Sequence, residues 1–230
     1  MRRRIPISLL VRLLLLLGAV GALAQGTFQN LGFESANLPT VPPGQPGRLA
    51  SSLDAIPYWT GFLGTNQLTQ IRHNDLTLGE ASIDILGPYA NFGYILDGQY
   101  TVVLQPGRDP FSGINVGASI SQAGLVPGDA QSLLFRARIY GAFSMALGPW
   151  SLSPVVMGTG TNYTLYAANI PLSAVGNIET LTITALAGPN TADYFDAFSF
   201  SSAPTPEPGV SALCALGALV LGCWGSKRRR

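Results

Sequence analysis

The chain has 230 residues, 47% of them hydrophobic and 11% charged, and its formal net charge is +1. This near-neutral total hides an uneven distribution, because eight of the 13 cations lie in residues 2–12 and 227–230. Residues 25–205 hold five arginines and eleven acids, a net charge of −6. With no basic patch to neutralise phosphates, this stretch is a poor partner for nucleic acid or anionic lipid.

The N-terminus has the three parts of a secretory signal peptide. Arg2 to Arg4 form the charged region, Leu13 to Val20 form the apolar stretch, and Ala22-Leu23-Ala24 provides small residues for cleavage. Residues 1–24 are therefore predicted to be a signal peptide that is removed on export.

Residues 25–203 are predicted to form one domain, because about 180 residues support one sizeable core but not two. This stretch contains no cysteine, since Cys214 and Cys223 both lie beyond it. A secreted domain without disulfides must be held together by its core or by bound ions.

Apolar residues recur at every second position in several segments, which is typical of half-buried β-strands. The segments and their apolar positions are 99–106 (Tyr100, Val102, Leu104), 113–122 (Ile114, Val116, Ala118, Ile120), 132–141 (Leu133, Phe135, Ala137, Ile139) and 179–187 (Leu181, Ile183, Ala185). Turn signals such as Pro106-Gly107 separate them, and no amphipathic helix is evident. The pattern predicts an all-β fold, an antiparallel β-sandwich of the jelly-roll type, with the proline-rich residues 38–47 as a surface loop.

The sequence gives little support to catalysis. Its one histidine, His73, stands in a polar stretch and is expected at the surface. Glu80 and Asp84 have the spacing that places two acids on one face of a strand, as a glycosidase requires. Solvated acids on the outer face of the sheet are the favoured interpretation of this pair.

Three aromatic residues are candidate ligand contacts, because aromatic rings stack on the apolar faces of sugars. Tyr58 and Trp59 lie in the loop-like segment PYWTGF, and Trp150 follows the turn signal Gly148-Pro149. Core packing is the commoner fate of such residues and is the alternative for each of them.

Asp196 is a candidate metal ligand. In the segment DYFDAFSF it shares parity with Tyr194, Phe198 and Phe200, so inward phenylalanines would bring its carboxylate inward too. A buried carboxylate needs a partner, and a structural calcium ion with hard oxygen ligands is one option. The alternative is a carboxylate that is solvated or bonded to backbone amides.

The C-terminus contains an apolar stretch, Val210 to Trp224, followed by a basic block. As a helix these 15 residues would span roughly 23 Å, less than the roughly 30 Å of a bilayer core. Interfacial Trp224 and a snorkelling Lys227 could offset the mismatch, and the basic end favours the cytoplasmic side. A single C-terminal hydrophobic helix that anchors the chain in the membrane is therefore predicted.

Residues 204–230 as a whole resemble the PEP-CTERM sorting signal of Gram-negative bacteria. The resemblance rests on the motif Pro206, Glu207 and Pro208, the hydrophobic segment 210–224, and the basic tail Lys227, Arg228, Arg229 and Arg230. It implies that the partner is exosortase, a membrane-embedded peptidase that cleaves near the motif. It also implies an exported protein, anchored transiently or stably in the inner membrane.

The domain itself resembles galactose-binding-like jelly rolls of carbohydrate-binding modules. The segments that carry the resemblance are NLGFES (30–35), IPYWTG (56–61), LDGQYTVVL (96–104), ISQAGLVPGDAQSLLFRARI (120–139) and DYFDAFSF (193–200). Such domains often hold calcium between their first and last strands, and the resemblance places Glu34 there as the second acid beside Asp196.

The expected function is that of an exported, surface-sorted, non-catalytic protein that associates with or binds extracellular polysaccharide. The alternative is a small secreted glycan-active hydrolase on the same scaffold, because the fold supports both functions.

Overall fold

The computed structural model describes residues 26–205 except 43–44, 46, 78, 91–92, 111 and 189–190. The helix α1 is Ser52–Ala55. The strands are β1 Arg48–Ser51, β2 Thr60–Leu63, β3 Asn66–Gln67, β4 Gln70–His73, β5 Ser82–Leu86, β6 Thr101–Gln105, β7 Gly107–Arg108, β8 Asn115–Val116, β9 Ala118–Leu125, β10 Ser132–Arg138, β11 Phe143–Leu147, β12 Trp150–Leu152, β13 Val155–Thr159, β14 Thr164–Asn169, β15 Ile178–Ala185 and β16 Asp193–Ser201.

These strands form two main sheets. The large sheet has the order β1-β4-β5-β6-β16-β10-β14-β13, and the small sheet has the order β12-β11-β15-β9-β2-β3. Strands β7 and β8 form a separate ribbon. Neighbouring strands run antiparallel except β4 and β5, which are parallel. The all-β sandwich predicted from the sequence is confirmed.

One core fills the space between the sheets. Apolar side chains from both sheets belong to it, including Ile85 and Phe135 of the large sheet and Ile120 and Ile183 of the small one. Each fully buried side chain of this size stabilises the fold by roughly 1.5–3 kcal/mol. The core is therefore what holds the sheets together in a domain without disulfides.

Two strands, β10 and β15, show the alternation of buried and more exposed residues that the sequence predicts. In β10, Leu133, Phe135 and Ala137 are buried while Arg136 and Arg138 lie on the other face and are partly exposed. In β15 the inward set Leu181, Ile183 and Ala185 is buried. Both strands contact the core on one face only, which is the condition under which alternation is visible in a sequence.

Strand β6 and residue Ile114 depart from the expected pattern. All five residues of β6 are buried, because its outer face is also covered by apolar residues, among them Leu96 and Tyr194, which form a second small core with Val103. Ile114, expected inside, is 63% exposed. It lies in the loop between β7 and β8, and Gly117 separates β8 from β9, so its side chain does not belong to the inward row.

A β-bulge in β16 reverses the parity on which the interpretation of Asp196 rested. The pairing of β10 with β16 shifts register between Leu134 and Arg136, and Ala197 has a φ of 49°. Phe195 and Phe198 consequently both point into the main core. Asp196 is fully buried, but it lies on the outer side of the large sheet, because the extra residue turns it away from the phenylalanines.

The edges of both sheets are short or irregular. The small sheet ends in β12 and β3, which have three and two residues. The large sheet ends on one side in β13, where Val156 pairs with Tyr166 and Gly158 with Leu165, so that Met157 is an extra residue.

The last described residues are fixed to the sandwich. Ser132 Oγ donates to the Ala203 carbonyl at 2.7 Å, and Asn169 Oδ1 accepts from the Thr205 amide at 2.8 Å. Among the described residues no helix is long and apolar enough to cross a membrane. The predicted signal peptide, Pro-Glu-Pro motif, hydrophobic helix and basic tail all lie outside the described residues.

Candidate functional site

Trp59 is a core residue. It is 4% exposed, its ring lies 5.6 Å from Phe33 and 6.0 Å from Phe198, and its Nε1 donates to the Asn30 carbonyl at 3.0 Å. Neither face of the indole is available to a sugar. The expectation that Trp59 contacts a ligand is therefore corrected: its role is packing.

Tyr58 and Trp150 lie apart from each other. Tyr58 is 60% exposed at a turn before β2, with a φ of 72° that is uncommon for a tyrosine. Trp150 begins β12, at the opposite edge of the small sheet from β2 and β3, and packs partly on the core. The structure does not bring these sequence-derived candidates into one site.

His73 is buried, not at the surface as expected. It ends β4, between β1 and β5, where it pairs with Arg48 and with Ile85. Burial, and to a lesser extent Arg48, lower the pKa of its imidazole. A side chain that is 3% exposed and neutral is a structural residue.

Asp84 is also buried, which corrects the expectation of a solvated acid. The chain after β4 folds over the outer face of β5, and the Asp75 amide donates to Asp84 Oδ2 at 2.7 Å, while Oδ1 has no partner among the described residues. Burial raises the pKa of Asp84 to about 7. Glu80 lies outside β5 with its carboxylate exposed, so the two acids do not flank a common space.

Glu34 and Asp196 do lie close together. A Cβ on Gly32 would be 3.9 Å from both Asp196 Oδ1 and Glu34 Cγ. Burial, with a smaller contribution from the charge of Glu34, raises the pKa of Asp196 to about 7 although Thr101 and two amides donate to it. Within the part of the chain that the structure describes, no cation pairs with Asp196, and the guanidinium of its cross-strand partner Arg136 pairs with another acid.

These two carboxylates fix residues 94–101, which we call the covering segment. Asp196 Oδ2 accepts from Thr101 Oγ1 at 2.6 Å and from the Asp97 amide at 3.1 Å. Glu34 accepts from the amides of Gln99 and Tyr100 at 3.0–3.1 Å. The covering segment is thereby held against the outer face of the large sheet.

Calcium fits this place only in part. Glu34 and Asp196 supply two carboxylates, but within the described residues no three His, Cys, Asp or Glu side chains gather as a metal-binding group. Carbonyl oxygens or water would have to complete the six to eight ligands that calcium takes. The amide contacts match the alternative weighed from the sequence, and calcium stays a prediction.

An aromatic and cationic surface lies beside the covering segment. We call it the tyrosine–arginine face, and its members are Tyr94, Arg136, Arg138, Tyr140 and Tyr163. Tyr94 is 38% and Tyr140 is 53% exposed. The Arg138 guanidinium carbon lies 3.7 Å from the Tyr94 ring centroid and 5.4 Å from that of Tyr140, and its Nε donates to the Tyr140 hydroxyl.

Tyr194 forms the floor of this face. It is the cross-strand neighbour of Arg138, is 5% exposed, and meets Tyr94 and Tyr140 edge-on at 5.8 and 6.3 Å. Burial raises the pKa of Tyr194 to about 12, so its hydroxyl stays protonated at neutral pH.

Two further contacts hold the ends of the face. Arg136 lies 4.7 Å from the Tyr163 ring centroid and forms an ion pair with Asp97. Asp193 Oδ1 accepts from the amides of Tyr140 and Gly141 at 2.7 and 2.9 Å, which fixes the turn that carries Tyr140. Burial raises the pKa of Asp193. The exposed rings are thus held in place by buried polar groups.

Sequence reasoning did not identify this face. The alternation of β10 gave the outward direction of Arg136 and Arg138, but Tyr94 and Tyr140 stand in segments without a motif. They meet because β6, β16 and β10 are successive strands of the large sheet, which brings the segment before β6 beside the turn after β10. The one signal in the sequence was Tyr140, which directly follows the row of outward arginines.

Comparison with known proteins gives one distant likeness. No family model and no curated protein matches the chain. A solved structure of the carbohydrate-binding module TmCBM61 in complex with β-1,4-galactotriose matches with a TM-score of 0.35 and 13% identity, covering 77% of this chain and 98% of that one. A likeness of this degree assigns neither a family nor a ligand.

The raised pKa of Asp84 makes a pH-dependent prediction. Because the folded state binds this proton more tightly than the unfolded state, wild-type stability should fall as the pH rises from about 4 to 7. Asp84→Asn keeps an acceptor for the Asp75 amide and cannot ionise. The unfolding free energy of Asp84→Asn minus that of the wild type should therefore rise by on the order of a few kcal/mol between pH 4 and 8. Denaturant titrations at each pH measure this difference.

Asp54→Asn, at an exposed position of α1, is the control for removing one negative charge. If the unfolding free energies of Asp84→Asn and the wild type change with pH in parallel, burial does not shift the pKa of Asp84.

Proposed function

We propose that this chain is an exported, non-catalytic protein that binds extracellular polysaccharide through the tyrosine–arginine face. The exposed rings of Tyr94 and Tyr140 beside Arg138 carry the proposal. Aromatic rings bind the apolar faces of sugars, and neighbouring donors and acceptors bind the hydroxyls. A face fixed by Tyr194 and Asp193 loses little conformational entropy on binding.

The buried acids favour binding over hydrolysis. A glycosidase needs two carboxyl groups that both reach the scissile bond. Asp84, Asp193 and Asp196 are each fully buried, and Glu80 has no accessible partner in Asp84. The hydrolase alternative therefore has no support from the acids considered for it.

Export and sorting belong to the same proposal. The predicted signal peptide in residues 1–24 supports export. The resemblance of residues 204–230 to the PEP-CTERM signal supports sorting. On this proposal exosortase processes the tail and the domain reaches the envelope or the outside of a Gram-negative cell. The domain then acts where polysaccharide is present.

The first test replaces the exposed rings. Tyr94→Ala and Tyr140→Ala should each weaken polysaccharide binding about tenfold, because each removes a stacking surface. Affinity electrophoresis of the purified protein against a panel of polysaccharides measures the loss.

Tyr58→Ala is the matched comparison, since Tyr58 is at least as exposed as Tyr94 and Tyr140 and is a sequence-derived candidate. Loss of binding in Tyr58→Ala alone would move the site to the turn before β2. Release of reducing ends from the bound polymer would favour the hydrolase.

We also propose a structural calcium ion at Glu34 and Asp196. Two adjacent acids without a neutralising cation support it. Calcium at a hundredfold excess over its Kd should raise stability by about 2.7 kcal/mol, because only the native state forms the site. Thermal unfolding with calcium and with excess chelator measures this change.

Asp196→Asn with Glu34→Gln should abolish the calcium response, while Asp54→Asn should keep it. A melting temperature that chelator leaves unmoved would mean that the backbone amides and the Thr101 hydroxyl satisfy these carboxylates without a metal ion.

The tail gives a separate prediction. Mass spectrometry of the protein from its own host should find a C-terminus upstream of Val210, and Pro206→Ala with Pro208→Ala should preserve the intact chain. Intact wild-type peptides through Trp224 as the main species would leave a plain membrane anchor instead.

A further inference from the structure

Arg138 differs from the other arginines of the described residues in its surroundings, because its guanidinium lies beside two tyrosine rings and forms no ion pair with an acid. Arg72 pairs with Asp75 and Arg136 pairs with Asp97. Arg108, whose Nε donates to the Gly113 carbonyl, and the exposed Arg48 have no aromatic ring beside their guanidinium among the described residues. Arg138 has a hydrogen bond from Nε to Tyr140 and ring contacts, but its two terminal nitrogens have no hydrogen-bond or ion-pair partner among the described residues.

The surroundings of Arg138 orient this guanidinium. Tyr94 at 3.7 Å and Tyr140 at 5.4 Å restrict the plane of the group, and the bond from Nε fixes its rotation. A planar guanidinium held in this way presents parallel N–H donors whose spacing matches the two oxygens of a carboxylate. Less side-chain freedom is lost when such a group binds than when a free arginine does.

We propose that the tyrosine–arginine face binds a glycan with carboxylate groups, in which Arg138 pairs with a uronate carboxylate. The rings of Tyr94 and Tyr140 contact the apolar faces of the same or adjoining sugars. This inference rests on the proposed function and adds the substrate class to it. Arg138 is then the residue that distinguishes an acidic polymer from its neutral form.

The acidic net charge of the domain does not oppose this pairing. At physiological ionic strength charges beyond about 8 Å are largely screened, so the near neighbours decide the local potential. Of these, Asp97 is neutralised by Arg136, and Asp193 is buried with Oδ1 bound to the backbone amides of the Tyr140 turn. The positive charge of Arg138 is the one left open to a ligand on the face.

The experiment compares one polymer in two charge states. The full chain, purified in detergent, is titrated with polygalacturonate, with its methyl ester, and with a neutral β-1,4-galactan. The wild type should bind polygalacturonate about 10- to 100-fold more tightly than the ester, since a charge-assisted pair is lost on esterification. Arg138→Gln should remove this preference and leave binding to the ester in place.

Arg48→Gln, which removes an exposed arginine from β1, is the matched control and should keep the preference. Arg138→Lys retains the charge without the planar fork, so it should keep part of the preference and gives a second variant if Arg138→Gln fails to fold. Equal wild-type affinity for the acid and the ester, or binding of the galactan alone, would overturn the acidic substrate while glycan binding stands. Binding to none of the three polymers would overturn both.

Discussion

The bulge at Asp196 and Ala197 decides which parts of the chain lie on each side of the large sheet. It allows Phe195 and Phe198 to enter the same core, and it turns the Asp196 carboxylate outward onto the covering segment. That segment closes the second small core through Leu96 and carries Tyr94 to its place over Arg138. One irregular residue therefore connects the core to the candidate binding face.

The tyrosine–arginine face depends on strand order more than on any local motif. Its rings come from the covering segment, the turn after β10 and the residue before β14, with Tyr194 of β16 beneath two of them. Polar groups hold each part: buried Asp193 fixes the Tyr140 turn, and half-buried Asn162 donates to the Ile95 carbonyl. Burying such acids costs free energy, which the large apolar core offsets.

The sequence predicted the sandwich because β10 and β15 meet the core on one face only, which leaves a period of two. It did not predict the burial of His73 or Asp84, because alternation along a strand does not show that a loop, here the one between β4 and β5, lies over the outer face of the sheet. For Asp196 the sequence left two alternatives open, an inward carboxylate beside the phenylalanines and one that is solvated or bonded to backbone amides, and it did not show the outward direction, since no glycine marks the bulge at Ala197. The candidate binding face could not be predicted because Tyr94 and Arg138 are neighbours in space and far apart in sequence.

The irregular edge of the large sheet has a consequence for crowded conditions. An exposed flat edge invites strands from other copies to join it, and such addition leads to aggregation. Along β13 the extra residue Met157 interrupts the row of hydrogen-bonding groups, although Val156 and Met157 are both exposed there. The edges of the small sheet are too short to seat an added strand. These three edges therefore offer little room for strands of other copies to join the sandwich.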